Sequence, residues 1–180
     1  MQNKIYRYID FDGVLFNTNE IIDNLILEKQ LTKEEDIRAY ISKLDFYKII
    51  SSAKPINNSL YYLKKLLESD KYITKILSHT NSKEESLAKT SIIKDYINNI
   101  DILCVPKYIP KSTYVDPTNA ILVDDYKPNL LLWQNNQGLP IHFDKELNKS
   151  TYPVISTLEN LDTKIEQYYP KVLTLSNRHQ

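Results

Sequence analysis

Five short apolar runs, separated mostly by stretches with helical spacing, constrain the fold of this chain most strongly. Each run is bounded by polar or turn-forming residues, which is typical of buried strands. The runs are Ile5–Ile9, Ile73–Leu77, Ile102–Val105, Ala120–Val123 and Pro140–Phe143. Strands that alternate with helices pair in parallel, and the helices cover the faces of the sheet. The sequence therefore predicts an α/β fold, a Rossmann-like doubly wound parallel sheet with strand order 3-2-1-4-5.

The stretch between the first two runs is much longer than the single crossover helix that two parallel strands need. It contains two amphipathic helical patterns, and the second follows Thr32-Lys33-Glu34-Glu35, which matches a capping box. Pro55 ends this pattern, and a helix beginning near Leu60 is predicted to return to the sheet. We therefore predict a small helical cap of residues 18–53, inserted after strand 1 into a core of residues 1–17 and 54–180.

Three further helices are predicted along the second half of the chain. Ser82-Lys83-Glu84-Glu85 matches another capping box and predicts a helix that runs to about Ile97. Pro128 suits the first turn of the next helix. A short helix is expected over residues 159–169, and the tail after Pro170 is expected to be loosely held.

Composition and charge exclude several classes of protein. Lys+Arg and Asp+Glu number 23 each in the 180 residues, so there is no strong nucleic-acid signal and no general attraction to anionic lipid. Cys104 is the single cysteine, which excludes an internal disulfide, and its apolar neighbours predict a buried core position.

The N-terminal residues predict where the chain resides. Met1–Lys4 lead directly into the first strand without an apolar signal region, and no apolar run approaches membrane-spanning length. We therefore expect a cytoplasmic protein with no membrane partner. The sequence does not determine its oligomeric state.

Two carboxylates stand at the end of the first predicted strand. Asp10 and Asp12 are two residues apart, so the strand period would turn both side chains the same way, and Gly13 lets the chain turn sharply. Two acids so close repel each other unless a cation or a proton intervenes. A divalent cation such as Mg2+ and a phosphoryl group would use both: one carboxylate attacks phosphorus, and the other transfers protons. The alternative is a turn with two solvent-facing carboxylates.

Polar residues also follow the other predicted strands. Ser78 and His79 end the second strand, and Asp124 and Asp125 end the fourth. Because ligands of open α/β sheets bind beyond the carboxyl ends of the strands, these residues are expected to converge on one crevice. A lysine between the third and fourth strands, Lys111 or Lys107, would add positive charge there.

In their order along the chain these residues resemble the four motifs of haloacid dehalogenase superfamily hydrolases. Asp10-Phe11-Asp12-Gly13-Val14-Leu15 is similar to the first motif, Ser78 to the second, Lys111 to the third and Asp124-Asp125 to the fourth. The resemblance covers residues 4–143. The stretch from Ile121 to Asp125, with Asn129, Trp133, Gly138 and Pro140-Ile141, further resembles the 5'(3')-deoxyribonucleotidase-like branch.

The resemblance implies a role for each residue. Asp10 would be the nucleophile that forms an aspartyl-phosphate and would also bind Mg2+, and Asp12 would act as the general acid and base, with its backbone carbonyl on the metal. Ser78 and Lys111 would bind the substrate phosphate, and His79 would be a further phosphate contact. Asp124 and Asp125 would complete the metal site, although which of them binds directly is left open.

Several of these residues have a plainer interpretation. Ser78 would simply cap the following helix, Asp124 and Asp125 would be turn acids, and His79 would be a loop or core histidine. Asn129 is expected to be a first-turn helix residue, and Trp133 to pack in the core with Leu130. Three aromatic residues of the cap would either stack on a nucleobase or pack in the core. They are Tyr40, Phe46 and Tyr47.

The leading hypothesis is a Mg2+-dependent phosphomonoesterase that acts on a small phosphorylated metabolite, preferably a nucleoside monophosphate. The first alternative is a phosphatase of the same superfamily acting on sugar phosphates or other esters. The second is a receiver-like module that accepts a phosphoryl group on an aspartate and holds it. The third is a catalytically silent binding protein.

Overall fold

The computed structural model describes residues 4–170, which form one six-stranded parallel sheet with helices between the strands. The strand order is β3-β2-β1-β4-β5-β6, which confirms the predicted α/β fold and the predicted order of the first five strands. The strands are β1 Ile5–Ile9, β2 Tyr72–Thr80, β3 Ile102–Pro106, β4 Ile121–Asp124, β5 Leu139–Phe143 and β6 Val154–Ile155. The sequence analysis did not predict β6, which has two residues. Such a short segment has no periodicity to detect.

The described part of the chain also contains eight helices, and the last of them follows β6. They are α1 Thr18–Glu28, α2 Glu34–Ile41, α3 Phe46–Ser52, α4 Ser59–Leu67, α5 Lys83–Tyr96, α6 Lys111–Tyr114, α7 Lys127–Asn135 and α8 Leu161–Tyr168. Successive strand residues contribute to different apolar clusters. Ile121 and Val123 join the larger cluster, whereas Leu122 packs with Trp133 in a smaller one. Helices therefore cover both faces of the sheet.

Helices α1, α2 and α3 occupy the segment that was predicted as a cap. Its domain boundaries remain a prediction. Helix α3 contacts α5, and its residues Phe46 and Ile50 belong to the larger apolar cluster. The predicted capping box at Thr32 was wrong, since α2 begins after Lys33, which provides no side-chain cap.

Short sequence motifs correctly predicted where α5 and α7 begin. Ser82 caps α5 by accepting a hydrogen bond from the backbone N–H of Glu85 at 3.1 Å, as predicted. Pro128 lies in the first turn of α7. Trp133 is fully buried and donates to the carbonyl of Ala120 at 2.9 Å, so its predicted core role is confirmed. Cys104 is only partly buried, contrary to prediction, because its strand β3 is an edge of the sheet.

Within residues 4–170, no helix combines the length and the apolar character needed to cross a membrane. The predicted looseness of the tail after Pro170 concerns residues 171–180, which lie outside the described residues.

Candidate active site

The carboxyl ends of β1 and β4 bring two buried acids together. These strands are neighbours in the sheet, with Ile9 opposite Val123, and the backbone N–H of Asp10 donates to the carbonyl of Val123 at 2.9 Å. Asp10 therefore lies beside Asp124, and both side chains are almost completely buried. Buried carboxylates are costly unless cations or hydrogen-bond donors compensate them.

Lys111 compensates both acids. Its Nζ lies 2.9 Å from Oδ1 of Asp10 and 2.7 Å from Oδ2 of Asp124. Burial opposes the charge of Lys111, but the Asp10 and Asp124 carboxylates more than offset it and raise the pKa of the ammonium group above its usual value. Lys107, the competing candidate, is exposed. The structure thus places Lys111 among the acids, whereas its phosphate-binding role remains a prediction.

Helix α7 fixes the orientation of Asp124. Oδ1 accepts a hydrogen bond from the backbone N–H of Tyr126 at 2.8 Å, and Oδ2 accepts one from Nδ2 of Asn129 at 3.0 Å. Asn129 is a first-turn helix residue, as predicted, and in addition it orients an acid of the site.

Asp125 lies against the turn that follows Asp10. Its Oδ2 accepts a hydrogen bond from Nδ2 of Asn19 at 3.1 Å. Burial, together with the Asp10 and Asp124 carboxylates, raises the pKa of Asp125 to about 8. Gly13 makes this approach possible, since it has a φ of +72° and lacks the side chain that would collide with Asp125.

Three carboxylates could hold a metal ion. Asp10, Asp124 and Asp125 each offer an oxygen, and these oxygens lie within 4.8 Å of one another. Burial and the neighbouring Asp124 and Asp12 carboxylates raise the pKa of Asp10 to about 7, although the Lys111 ammonium opposes them. Lys111 pairs with two of the three carboxylates, Asp10 and Asp124. Hard oxygen donors and excess negative charge fit Mg2+. The Asp12 side chain is not part of this group, and metal binding through its backbone carbonyl remains a prediction.

Asp12 has an environment of its own. Its Oδ1 accepts a hydrogen bond from the hydroxyl of Thr18 on α1, and its Oδ2 lies 3.4 Å from Oγ of Ser78 and receives a salt bridge from Lys89 on α5. Burial alone would raise the pKa of Asp12, but the Lys89 ammonium and these hydrogen bonds outweigh burial and lower it. The two acids of the first motif therefore differ: Asp10 faces the acid cluster and Lys111, whereas Asp12 faces a second lysine.

Lys89 was not predicted as a residue of the site. Its side chain is 1% exposed, and it pairs with Asp12 and with Glu85 one turn earlier on α5. A signal was present, because Glu85 and Lys89 share a helix face with Ala88 and Ile93, both of which are buried. A charged pair at (i, i+4) within an apolar helix face marks a buried ion pair.

Ser78 and His79 point to different partners. Ser78 is fully buried and accepts a hydrogen bond from Lys89 at 3.1 Å, so it faces Asp12 and Lys89, while Ser82 caps the helix. His79 is placed with its Nε2 2.9 Å from the carbonyl of Ile109, in the loop before α6. Burial and the nearby Lys111 lower the pKa of His79. A phosphate contact through Nε2 of His79, which remains a prediction, would have to replace the bond to Ile109.

A cleft of about 330 Å3 borders the acid cluster, and Gly13 and Asp125 form part of its wall. Asn17, Asn19 and His142 also line it. Its volume suits a small polar molecule. A larger cavity of about 540 Å3 lies around residues 147–154 and contains none of the site acids.

Comparisons with known proteins support the fold. No protein-family description matches the sequence, and no curated protein matches it. Among solved structures, a HAD-superfamily hydrolase of subfamily IA from Geobacter sulfurreducens has a TM-score of 0.60 at 12% identity, covering 89% of this chain and 99% of its own. The chain has the fold of the haloacid dehalogenase (HAD) hydrolases.

Other HAD-fold neighbours differ in their chemistry. A HAD phosphatase from Thermococcus onnurineus has a TM-score of 0.52 at 14% identity and covers 89% of this chain and 97% of its own. An L-2-haloacid dehalogenase from Xanthobacter autotrophicus has a TM-score of 0.59 at 12% identity and covers 93% of this chain and 100% of its own. The fold is therefore shared by hydrolases that act on different bonds, and only the site can distinguish them.

Proposed function

We propose that this protein is a Mg2+-dependent phosphomonoesterase that acts on a small phosphorylated metabolite through an aspartyl-phosphate. The observation that carries the proposal is the separation of the first-motif acids. Asp10 lies with Lys111 and two further acids, whereas Asp12 lies with Thr18 and Lys89. Two carboxylates in different environments can take different roles in one reaction.

In the proposed reaction, a carboxylate oxygen of Asp10 attacks phosphorus and the bond to the leaving oxygen breaks. Asp12 gives a proton to the departing alkoxide, and it then takes a proton from the water that cleaves the aspartyl-phosphate. Lys111 and Ser78 bind the phosphoryl oxygens. Asp12 is ionised at rest, and a phosphate dianion bound beside it would raise its pKa, so that proton uptake accompanies substrate binding.

Asp10, Asp124 and Asp125 would hold Mg2+ in this proposal. The ion would neutralise charge on the phosphoryl group and on the surrounding acids. The oxygen-only donor set supports a hard divalent cation rather than a softer transition metal.

A phosphate ester is a better fit than a carbon–halogen bond because of Asp12. A halide ion leaves without a proton, whereas an alkoxide needs one. An acid two residues after the nucleophile, hydrogen-bonded within the site, supplies that proton. A dehalogenase would have no use for it.

A nucleoside monophosphate remains the preferred substrate in this proposal, on the strength of the resemblance to 5'(3')-deoxyribonucleotidases. Of the aromatic residues suggested for base stacking, Phe46 is buried in the core and cannot contact a ligand. Tyr47 on the same helix is 63% exposed, and α3 contacts α5, which carries Lys89. Tyr47 is therefore the first residue proposed to contact a base, and Tyr40, which is partly buried, is the second.

The strand order argues against a receiver-like module. Flavodoxin-like folds such as receivers have the order 2-1-3-4-5. In this chain β1 lies between β2 and β4. Hydrolysis with turnover is favoured over retention of the phosphoryl group.

The test is phosphate release from a panel of nucleoside monophosphates and sugar phosphates with Mg2+. We expect multiple turnovers on at least one ester, loss of release with EDTA, and recovery on adding Mg2+. The matched control is Asp10→Asn, which keeps the shape of the side chain and should lower turnover at least about a thousandfold. Turnover of sugar phosphates alone would keep the reaction and discard the nucleotide preference. Full activity in Asp10→Asn, or no turnover on any ester, would overturn the proposal.

A further inference from the structure

Lys89 is a buried cation at the edge of the candidate site, in a position that no part of the proposed reaction yet uses. Its Nζ donates to Oγ of Ser78 at 3.1 Å and to the carbonyl of His79 at 2.8 Å, in addition to its salt bridges. Burial lowers the pKa of Lys89, but the Asp12 and Glu85 carboxylates more than offset this and raise it above its usual value. The ammonium group therefore remains charged across the working range of an enzyme.

Glu85 anchors this lysine. Its Oε1 lies 2.8 Å from Nζ of Lys89, and its Oε2 accepts hydrogen bonds from the backbone N–H and from Nδ2 of Asn81 at 2.7 and 2.9 Å. In an ordinary capping box the glutamate would bond to the N–H of the capping residue itself. Here Glu85 bridges the end of β2 to Lys89, so the ammonium is fixed by α5 and not by the site alone.

Asp12 is held from three directions as a result. Thr18 on α1 binds one carboxylate oxygen, and Lys89 on α5 binds the other, beside Ser78 on β2. Lys111 plays the corresponding part for Asp10. Each acid of the first motif thus has its own buried lysine, on a different helix.

A purely structural explanation for Lys89 is weak. A buried ion pair seldom adds stability beyond that of an apolar pair of similar volume, because both charges must be desolvated. An apolar side chain at position 89 would suit the face that includes Ala88 and Ile93. Lys89 fixes the orientation of the Asp12 carboxylate, which an apolar residue at this position would not do.

We propose that Lys89, anchored by Glu85, is a positioning residue that holds Asp12 in place for proton transfer to the leaving alkoxide and from the attacking water. This inference rests on the proposed phosphomonoesterase function. It predicts that the need for Lys89 depends on the leaving group. A p-nitrophenolate ion departs without a proton, whereas the alkoxide of a nucleotide or sugar requires one.

The experiment compares Lys89→Met with the wild type on two substrates under pre-steady-state conditions with Mg2+. One is p-nitrophenyl phosphate, and the other is the alkyl phosphate that the wild type hydrolyses fastest. We expect kcat on the alkyl phosphate to fall about a hundredfold. The first turnover of p-nitrophenyl phosphate should stay within about threefold of wild type and be followed by slow steady-state release, because the water step still needs Asp12. The variant should therefore show a burst of p-nitrophenolate.

The matched control is Lys94→Met, which removes an exposed lysine from the same helix and should leave both substrates unaffected. A second variant, Glu85→Gln with Lys89→Met, removes both buried charges together and guards against misfolding of the single variant. It should give the same difference between substrates.

Equal loss of first-turnover rate on both substrates, or no loss on the alkyl phosphate, would overturn the positioning role while leaving the proposed function intact. A wild-type protein that releases no phosphate from any ester would overturn the proposed function, and this inference with it. If Lys89→Met does not fold, the double variant decides between these outcomes.

Discussion

A Cβ atom built on Gly13 would lie 2.0 Å from Oδ2 of Asp125. The turn after Asp10 and Asp12 and the last residue of the acid cluster, Asp125, therefore touch directly, with no room for any side chain between them. The same glycine has a φ of +72°, a conformation that other residues adopt only with strain. The close contact and the positive φ both belong to the turn at which Asp125 approaches the strand end that carries Asp10.

We expect Gly13→Ala to displace Asp125 and to weaken Mg2+ binding, with a loss of activity of about a hundredfold, since a displacement of about 1 Å can cost that much. The matched control is Gly138→Ala, whose Cβ would lie 2.2 Å from Cδ1 of Trp133 in the core, away from the acids. Both variants should lose stability, but only Gly13→Ala should lose Mg2+ affinity per folded molecule. Magnesium titration by calorimetry, beside thermal melts, checks this. Equal Mg2+ affinity in the two variants would contradict it.

Lys111, the first residue of α6, can be compared directly with Lys107 in the loop before that helix. Lys111→Met removes the ammonium between Asp10 and Asp124, and we expect kcat to fall by about 10² to 10³, the usual cost of losing one electrostatic stabiliser. Lys107→Met changes an exposed residue and should have little effect. Steady-state kinetics with Mg2+ on the best substrate measures both. A larger loss in Lys107→Met would reverse the assignment of the third motif.

The pH dependence of stability should report the acid cluster. Asp10 and Asp125 have pKa values of about 7 and 8 in the folded protein, against 3.8 without the fold, so between about pH 4 and pH 8 the folded state binds more protons than the unfolded state. Stability without metal should therefore fall as pH rises through this window. The lowered pKa of Asp12 acts in the opposite sense, but below pH 4, outside this window. The lowered pKa of His79 also acts in the opposite sense, below its usual value of 6.5, but this one group is set against two acids whose pKa values rise to about 7 and 8.

Mg2+ should remove this pH-dependent loss of stability, because it binds the ionised carboxylates. At a hundredfold excess over Kd it would add about 2.7 kcal/mol, or roughly 5 to 10 °C in Tm, and the gain should be larger at pH 8 than at pH 5.5. Thermal melts with EDTA or Mg2+ across this range measure both effects. Asp125→Asn, the matched control, should flatten the pH profile and reduce the Mg2+ shift. A metal-free Tm that rises from pH 5.5 to 8 would be inconsistent with the charged cluster.

A third buried cation, Arg7, predicts a difference between two ion pairs of α8. The Arg7 guanidinium is fully buried and pairs with Asp162, which is 41% exposed. Glu166, also 41% exposed, pairs instead with the exposed Lys71. Asp162→Ala should lower the free energy of unfolding by about 1 to 3 kcal/mol, because it leaves the buried Arg7 charge without its acidic partner. Glu166→Ala should lower the free energy of unfolding by less than about 1 kcal/mol, because its ion pair is exposed. Urea unfolding of both variants tests this, and similar losses would refute the distinction.

Much of the site followed from where the strands end. Ile9 and Val123 close apolar runs, and the acids after them lie at the same edge of the sheet because parallel strands have their carboxyl ends together. The choice between Lys107 and Lys111 was harder, because both follow β3 within a few residues. The resemblance to the third motif favoured Lys111, and burial beside Asp10 is what distinguishes the two in the structure.

Two buried cations were not predicted as such, and each has an acidic partner that is distant along the chain, although the nearby Glu85 was a local sign for Lys89. Lys89 is 77 residues from Asp12, and Arg7 is 155 residues from Asp162. A charged residue in a strand or helix reads as solvent-facing until its partner is known. Their burial is a property of the assembled sheet and helices.

The sequence by itself determined the α/β class and the edge at which the acids gather, because strand periodicity and strand ends are local properties of the chain. The order of the first five strands was predicted from the doubly wound arrangement expected of alternating strands and helices. Only the tertiary structure decided which charged side chains pair with each other. In the folded protein Asp10 pairs with Lys111 and Asp12 pairs with Lys89, and Gly13 packs directly against Asp125. Those contacts depend on how α5, α6 and β4 pack around β1, and the energy of a buried charge is set by its neighbours in space rather than by its neighbours in sequence.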